Sequence, residues 1–170
     1  MAKSELKLPI GREFSIAFIL LLFTGCASSP LPENYSGATA IIRDSVVPIN
    51  NSRAKFFWVS KVDGRTIESS PEKTRIENYG RGLNMQPKIV ERKVAAQKLT
   101  VRIEAGISFA ADILALTNKS YAVGGEVELK AEPNKVYVVK GTISPETSSV
   151  WIEEAATGKV VSAKIDKVHK

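Results

Sequence analysis

Lys98-Leu-Thr-Val-Arg-Ile-Glu104 alternates without a break: Leu99, Val101 and Ile103 are apolar, while Lys98, Thr100, Arg102 and Glu104 are polar. Successive side chains of a strand point to opposite faces, so this stretch is a strand with one dry face and one wet face. Ala105-Gly106 is expected to end it. Upstream, Ala54–Val62 (AKFFWVSKV) puts Phe57, Val59 and Lys61 on one face and Phe56, Trp58, Ser60 and Val62 on the other. Asp63-Gly64 is a hairpin dipeptide, because glycine accepts positive φ, and Arg65–Glu68 begins the return strand.

The same signal recurs outward. Ala38–Val47 (ATAIIRDSVV) and Lys88–Val94 (KIVERKV) are rich in β-branched residues. Tyr121–Ala131 alternates, with Gly124-Gly125 as a bulge or bend, and Glu132–Lys135 turns the chain into Val136–Ile143. Val150–Glu153 and Lys159–Ile165 form a last hairpin across Ala156-Thr157-Gly158. Ile107–Leu116 (ISFAADILAL) mixes both periods; its neighbours favour a strand, with a helical turn as the alternative. Phe56, Phe57 and Trp58 are expected in the core, and Trp151 as a core or edge anchor. Short strands with turn signals every 8 to 12 residues predict an all-β, antiparallel sandwich of about seven to nine strands over 38–166, with 167–170 as a tail.

Ser69–Pro87 interrupts the pattern. Ser70 could cap a short helix in 70–80, with Pro71 at its first position, Glu72 in its first turn and Gly80 as its stop. The alternative is a loop with a strand at Thr74–Asn78.

The N-terminus reads as an address. Lys3, Lys7 and Arg12, diluted by Glu5 and Glu13, precede the uncharged run Phe14–Phe23 (FSIAFILLLF). Ten apolar residues are too few to cross a bilayer, which takes about 20, but they suit a signal-peptide core. Phe23-Thr24-Gly25-Cys26 follows directly and resembles the lipobox of bacterial lipoproteins, with Phe23 where Leu is usual. The resemblance implies a signal peptide over 1–25, cleavage between Gly25 and Cys26, and acylation of Cys26, the one cysteine of the chain. A thiolate is the nucleophile that diacylglyceryl transfer requires. Two or three acyl chains, such as palmitate, then anchor stably at about 0.8 kcal/mol per buried methylene. Removing 25 of the 170 residues leaves 145, and the net charge falls from +6 to +5 before the new amine is acylated. Residues 26–37 (CASSPLPENYSG) read as a flexible tether. In enteric-type bacteria Asp directly after the lipidated Cys resembles an inner-membrane retention signal. Ala27 stands there, so the expected location is the cell envelope, on the outer membrane facing the periplasm.

A second resemblance covers most of 38–165. It rests on the Val62-Asp63-Gly64 turn, a long variable stretch, the charged alternating strand, Pro133-Asn134-Lys135-Val136-Tyr137-Val138-Val139, and Val150-Trp151-Ile152-Glu153-Glu154 followed by Thr157-Gly158-Lys159-Val160-Val161. This order is similar to a group of small bacterial envelope lipoproteins whose domain is a transthyretin-like or immunoglobulin-like sandwich. In that group a Gly often precedes the Lys-x-Tyr strand; here Pro133-Asn134 occupies the turn. The resemblance implies a fold and no catalytic residue.

Chemistry-bearing patterns are sparse. His169 is the one histidine, next to the C-terminus, and is expected to be a solvated terminal residue. Ser70-Pro-Glu-Lys73 reads better as a helix cap than as a Ser-Lys dyad, and Glu126 with Glu128 as a solvated sheet face. Glu153 and Glu154 are neighbours and would point to opposite faces. No catalytic set, metal site or cofactor fingerprint is expected, and the reading is a non-catalytic binding or structural module. Two rivals are an accessory lipoprotein of a secretion or surface apparatus and, more remotely, an envelope hydrolase.

The candidate interaction surface is the basic stretch Lys73, Arg75, Tyr79, Arg81, Lys88, Arg92 and Lys93, which outweighs Glu72, Glu77 and Glu91. Besides the membrane reached through Cys26, its expected partners are envelope proteins or anionic lipids, not nucleic acid. The bland alternative is a solvated charged face.

Overall fold

The computed structural model describes residues 28–170. Residues 1–25, expected to be a signal peptide, and Cys26 lie outside the described residues. Ten strands and two short helices occur among those described. The first half holds β1 (Thr39–Arg43), β2 (Ser45–Asn50), β3 (Arg53–Val62), β4 (Arg65–Thr66), α1 (Ser70–Glu77) and β5 (Glu91–Ala95). The second half holds β6 (Lys98–Phe109), α2 (Asp112–Thr117), β7 (Ala122–Lys130), β8 (Val136–Ile143), β9 (Thr147–Glu154) and β10 (Ile165–Val168).

The strands make two sheets. One has the order β10-β9-β8-β1-β5; the other is β2-β3-β6-β7, with β4 also on β3. Every pairing is antiparallel except β1 with β8, which is parallel. The apolar faces of both sheets feed one core. Ile42, Val94, Val139 and Ile152 enter it from the first sheet, and Phe57, Val59, Val101, Ile103 and Leu129 from the second. The Leu99-Val101-Ile103 alternation is thus buried as the sequence predicts.

Several expectations change. Ala38–Val47 is not one strand: the chain passes from one sheet to the other at Asp44. Ala105-Gly106 does not stop β6, because pairing with β3 and β7 on both sides outweighs the weakness of glycine in a strand. Gly106 instead makes room for Trp58, since a Cβ there would lie 3.3 Å from the indole. A bulge between Val59 and Lys61 reverses the parity of β3, so Val62 joins Phe57 and Val59 in the core. Ile107–Leu116 divides: strand to Phe109, then α2. The strand expected from Lys88 begins at Glu91. Residues 70–77 are helical, but the cap is Ser69, while Ser70 opens the helix with Pro71 in its first turn. Trp151 is half-buried, with Nε1 donating to Glu153 Oε1 at 2.7 Å and Lys164 Nζ 5.0 Å above its ring.

Both ends of the described residues are more attached than expected. The partner of β9 is Ile165–Val168, with a single bridge from Glu153 to Val160, so the tail enters the sheet. His169 N donates to Glu146 O at 2.8 Å, and its ring lies 4.8 Å from that of Tyr121. His169 is therefore held by the sheet edge and is not a frayed terminal residue. Residues 28–37 also lie along the body, and Leu31 and Tyr35 pack against the core.

β3 gives the molecule two ends. At the Val62 end lie β4, the N-terminal segment, and the turns at 95–98 and 130–135. At the Arg53 end, Met85 N donates to Asn51 O and Ala110 N to Ser52 O, which brings the loop after α1 and the start of α2 together. Ten residues at about 3.3 Å each separate these ends by about 30 Å.

At the Val62 end Lys135 Nζ donates to Glu154 Oε1. This hydrogen bond, with a second from Thr157, holds the Glu154 carboxyl below its ordinary 4.5; the same bond and the Glu154 charge hold Lys135 above its ordinary 10.5. A lowered carboxyl adds stability that is complete above 4.5 and lost as pH falls through the folded value. A raised ammonium adds stability that is complete below 10.5 and lost as pH rises. Glu154→Gln is therefore expected to lower the thermal midpoint at neutral pH and to flatten its acid limb. An unchanged acid limb would count against the pair.

Candidate functional site

Two features position the site: a buried ion pair that fixes the start of α1, and a side-chain clasp that fixes its end. Asp44 lies where the chain leaves β1, is 0% exposed, and has both carboxylate oxygens filled. Oδ1 accepts from Val59 N at 3.0 Å and Arg92 Nη1 at 2.7 Å. Oδ2 accepts from Ser70 N at 2.9 Å, Ser70 Oγ at 2.8 Å and Arg92 Nη2 at 2.8 Å. Arg92 also donates to Glu68 O at 3.1 Å, and Ser70 Oγ accepts from Val90 N at 2.8 Å. One carboxylate thus ties β3, β5 and the first residue of α1 together. Charges this deep persist only when paired; here every partner but one is met, Arg92 Nε being buried without a hydrogen bond.

At the other end of α1, Asn78 Nδ2 donates to Thr74 O at 2.8 Å and Gln86 O at 2.9 Å, while Oδ1 accepts from Gln86 N at 2.8 Å. Thr74 Oγ1 accepts from Lys88 N at 2.8 Å. The loop after α1 is therefore stitched back onto the helix. Gly80 and Gly82 take positive φ in that loop, where a side chain would be strained. α2 is held opposite by Asn118, whose Nδ2 donates to Leu114 O at 2.8 Å and whose Oδ1 accepts from Arg53 at 3.3 Å.

Between these walls lies a cleft of about 760 Å³. Its apolar lining comes from Pro71 and Tyr79 on one side, Met85 in the loop, and Ile107, Phe109 and Ala115 on the other. Glu72, Arg75 and Asp112 are the charged residues of the lining. Tyr79 in the loop after α1 is 93% exposed and Leu116 on α2 is 82% exposed; Ile76 on α1, Leu83 in the same loop and Ile113 on α2 are exposed too. Scattered apolar residues are ordinary on a surface, and of these five Tyr79 is the one that lines the cleft.

The expected basic surface is redistributed. Arg75 and Tyr79 line the cleft, and Arg81 stands between two lining glycines with Nη1 donating to Gln86 Oε1 at 2.7 Å. Lys73 pairs with Glu68 at 3.6 Å and Lys88 with Glu77 at 3.1 Å. Lys93 is exposed on β5, outside the cleft. Arg92 is no surface residue: it is buried at 8% exposure against Asp44. Three of the expected cations are thus neutralised locally, and the site is more apolar than basic.

Ser148 Oγ lies 2.7 Å from His169 Nε2, a nucleophile-and-base spacing that the sequence does not suggest. Ser148 is 0% exposed, which leaves no approach for a substrate. No group of three His, Cys, Asp or Glu suited to a metal ion occurs among the described residues. No helix among them is long and apolar enough to cross a membrane. Comparison with protein-family models, curated proteins and solved structures finds no match to this chain.

Proposed function

We propose that this chain is a bacterial envelope lipoprotein, anchored through acylated Cys26 on the outer membrane facing the periplasm. Its body is a non-catalytic β-sandwich that binds an apolar segment of another envelope protein. Two sheets sharing one core support the sandwich, and its transthyretin-like or immunoglobulin-like character rests on the sequence resemblance. The observation that carries the binding role is the cleft between α1 and α2, with its apolar lining and the exposed Tyr79. Tyrosine is among the side chains enriched at the anchor points of interfaces.

The test has two arms in one strain. Cys26→Ala is expected to abolish palmitate labelling and to release the protein from the membrane fraction. A mature, membrane-bound variant would end the lipoprotein reading. A photoreactive phenylalanine at Tyr79 is expected to give a discrete protein adduct that a second substitution, Ala115→Trp, removes by filling the cleft. Equal adducts at Tyr79 and at Lys130 on the opposite end, or adducts to lipid alone, would refute the cleft as a protein-binding site.

A further inference from the structure

Residues 28–35 do not behave as a spacer. Ser28 donates twice to Thr66 O, from N at 3.0 Å and from Oγ at 2.8 Å. Arg65 Nη2 donates to Pro30 O at 2.9 Å, and Leu31 and Tyr35 pack on the core. Tyr35 Oη donates to Ala38 O at 2.7 Å, and the ring lies so close over Gly37 that a Cβ there would be 2.7 Å from Cζ. Gly37 is thus the residue that lets the segment fold flat. Each attachment falls at the Val62 end of β3.

Chain length makes this decisive. Ser28 is two residues beyond Cys26, so their Cα atoms are at most about 7 Å apart. A free tether of 11 residues, 27–37, would reach about 37 Å instead. We infer that residues 28–35 are a docked strap that seats the Val62 end of the body on the headgroups of the membrane holding Cys26 and turns the α1–α2 cleft away from it. This inference rests on acylation of Cys26.

The seated end presents exposed Lys61, Lys98 and Lys130 to lipid phosphates, with Lys98 sharing its charge with Glu128 at 2.7 Å. Glu33, Asp63 and Glu132 are exposed there too, so geometry rather than net charge sets the orientation. With the two ends about 30 Å apart, the far part of the cleft, at Met85 and Ala110, lies about three Debye lengths from the bilayer surface at 0.1 M salt, and its Pro71 side lies nearer. Its occupant must then come from the aqueous side.

The experiment uses the full acylated chain in vesicles of phosphatidylethanolamine and phosphatidylglycerol carrying a nitroxide-headgroup lipid. A fluorophore is placed on Lys130→Cys or Leu83→Cys, Cys26 being blocked by its lipid. Quenching is expected to be severalfold stronger at position 130 than at 83. Freeing the strap with Leu31→Ser, Tyr35→Ser and Arg65→Ala is expected to bring the two values together while the near-ultraviolet spectrum stays native. Equal quenching with the native strap, in a chain shown by mass to be acylated, overturns the seated orientation and leaves the lipoprotein reading intact. A chain without acyl mass on Cys26 overturns both.

Discussion

Asp44→Ala is expected to destabilise the body by about 3–5 kcal/mol, the range for breaking a buried ion pair from one side. Five hydrogen bonds converge on this carboxylate. Its removal leaves the Arg92 guanidinium buried with Glu68 O as a partner, and strands Val59 N and the N–H of Ser70. Each stranded donor adds about 1–3 kcal/mol of desolvation that nothing offsets. The damage should spread to α1, because Asp44 holds the first residue of that helix, and α1 is a wall of the cleft. The native pair is not itself a large source of stability, since desolvating two charges consumes most of their attraction. The double variant Asp44→Leu, Arg92→Met is therefore expected to unfold at higher denaturant than Asp44→Ala alone. Denaturation midpoints of Asp44→Leu, Arg92→Met and the double variant measure the coupling. An Asp44→Ala midpoint close to the native one would show that the network is not structural.

The sequence carried a signal for this network that the charge reading obscured. Ala40, Ile42 and Asp44 share one parity, and so do Val90, Arg92 and Val94. Every one of these six is buried. Two opposite charges, each at the buried parity of a short strand, imply a pair across the core edge. Counting Arg92 with its neighbours as a basic patch hid that. Strand identity was legible because half-buried strands print their burial on the sequence with period two, as 98–104 does. Strand ends were less so: Gly106 and the Val59–Lys61 bulge are decided by partners distant in sequence. The cleft was half legible. Tyr79, Arg75 and Arg81 stood out by type, but the opposite wall comes from 107–115, whose mixed periodicity reflects a strand running into α2. The strap was invisible to composition, because Ser, Pro and Gly mark a docked loop and a free tether alike.

Gly141→Ala should be destabilising by about 1–3 kcal/mol, although replacing a strand glycine by alanine ordinarily gains about 0.5–1 kcal/mol. The sign turns on the surroundings. Gly141 sits in β8 opposite Val150 of β9, and the Phe57 ring from the other sheet presses on its bare Cα. A Cβ would lie 2.6 Å from Phe57 Cδ1 and would also collide with Ser149 O. Phe57 is 2% exposed and belongs to the shared core, so it has no space into which to retreat. The sheets must separate or β8 must move off β9. Gly125→Ala is the matched control: its Cβ would meet the far end of the Ile165 side chain at 2.9 Å, which a rotamer change relieves. That variant is expected to be near neutral. Phe57→Leu in the Gly141→Ala background should recover part of the loss, but not all, because Ser149 O is backbone and stays in place. A Gly141→Ala protein more stable than the native one would mean that the two sheets do not close on each other at Phe57.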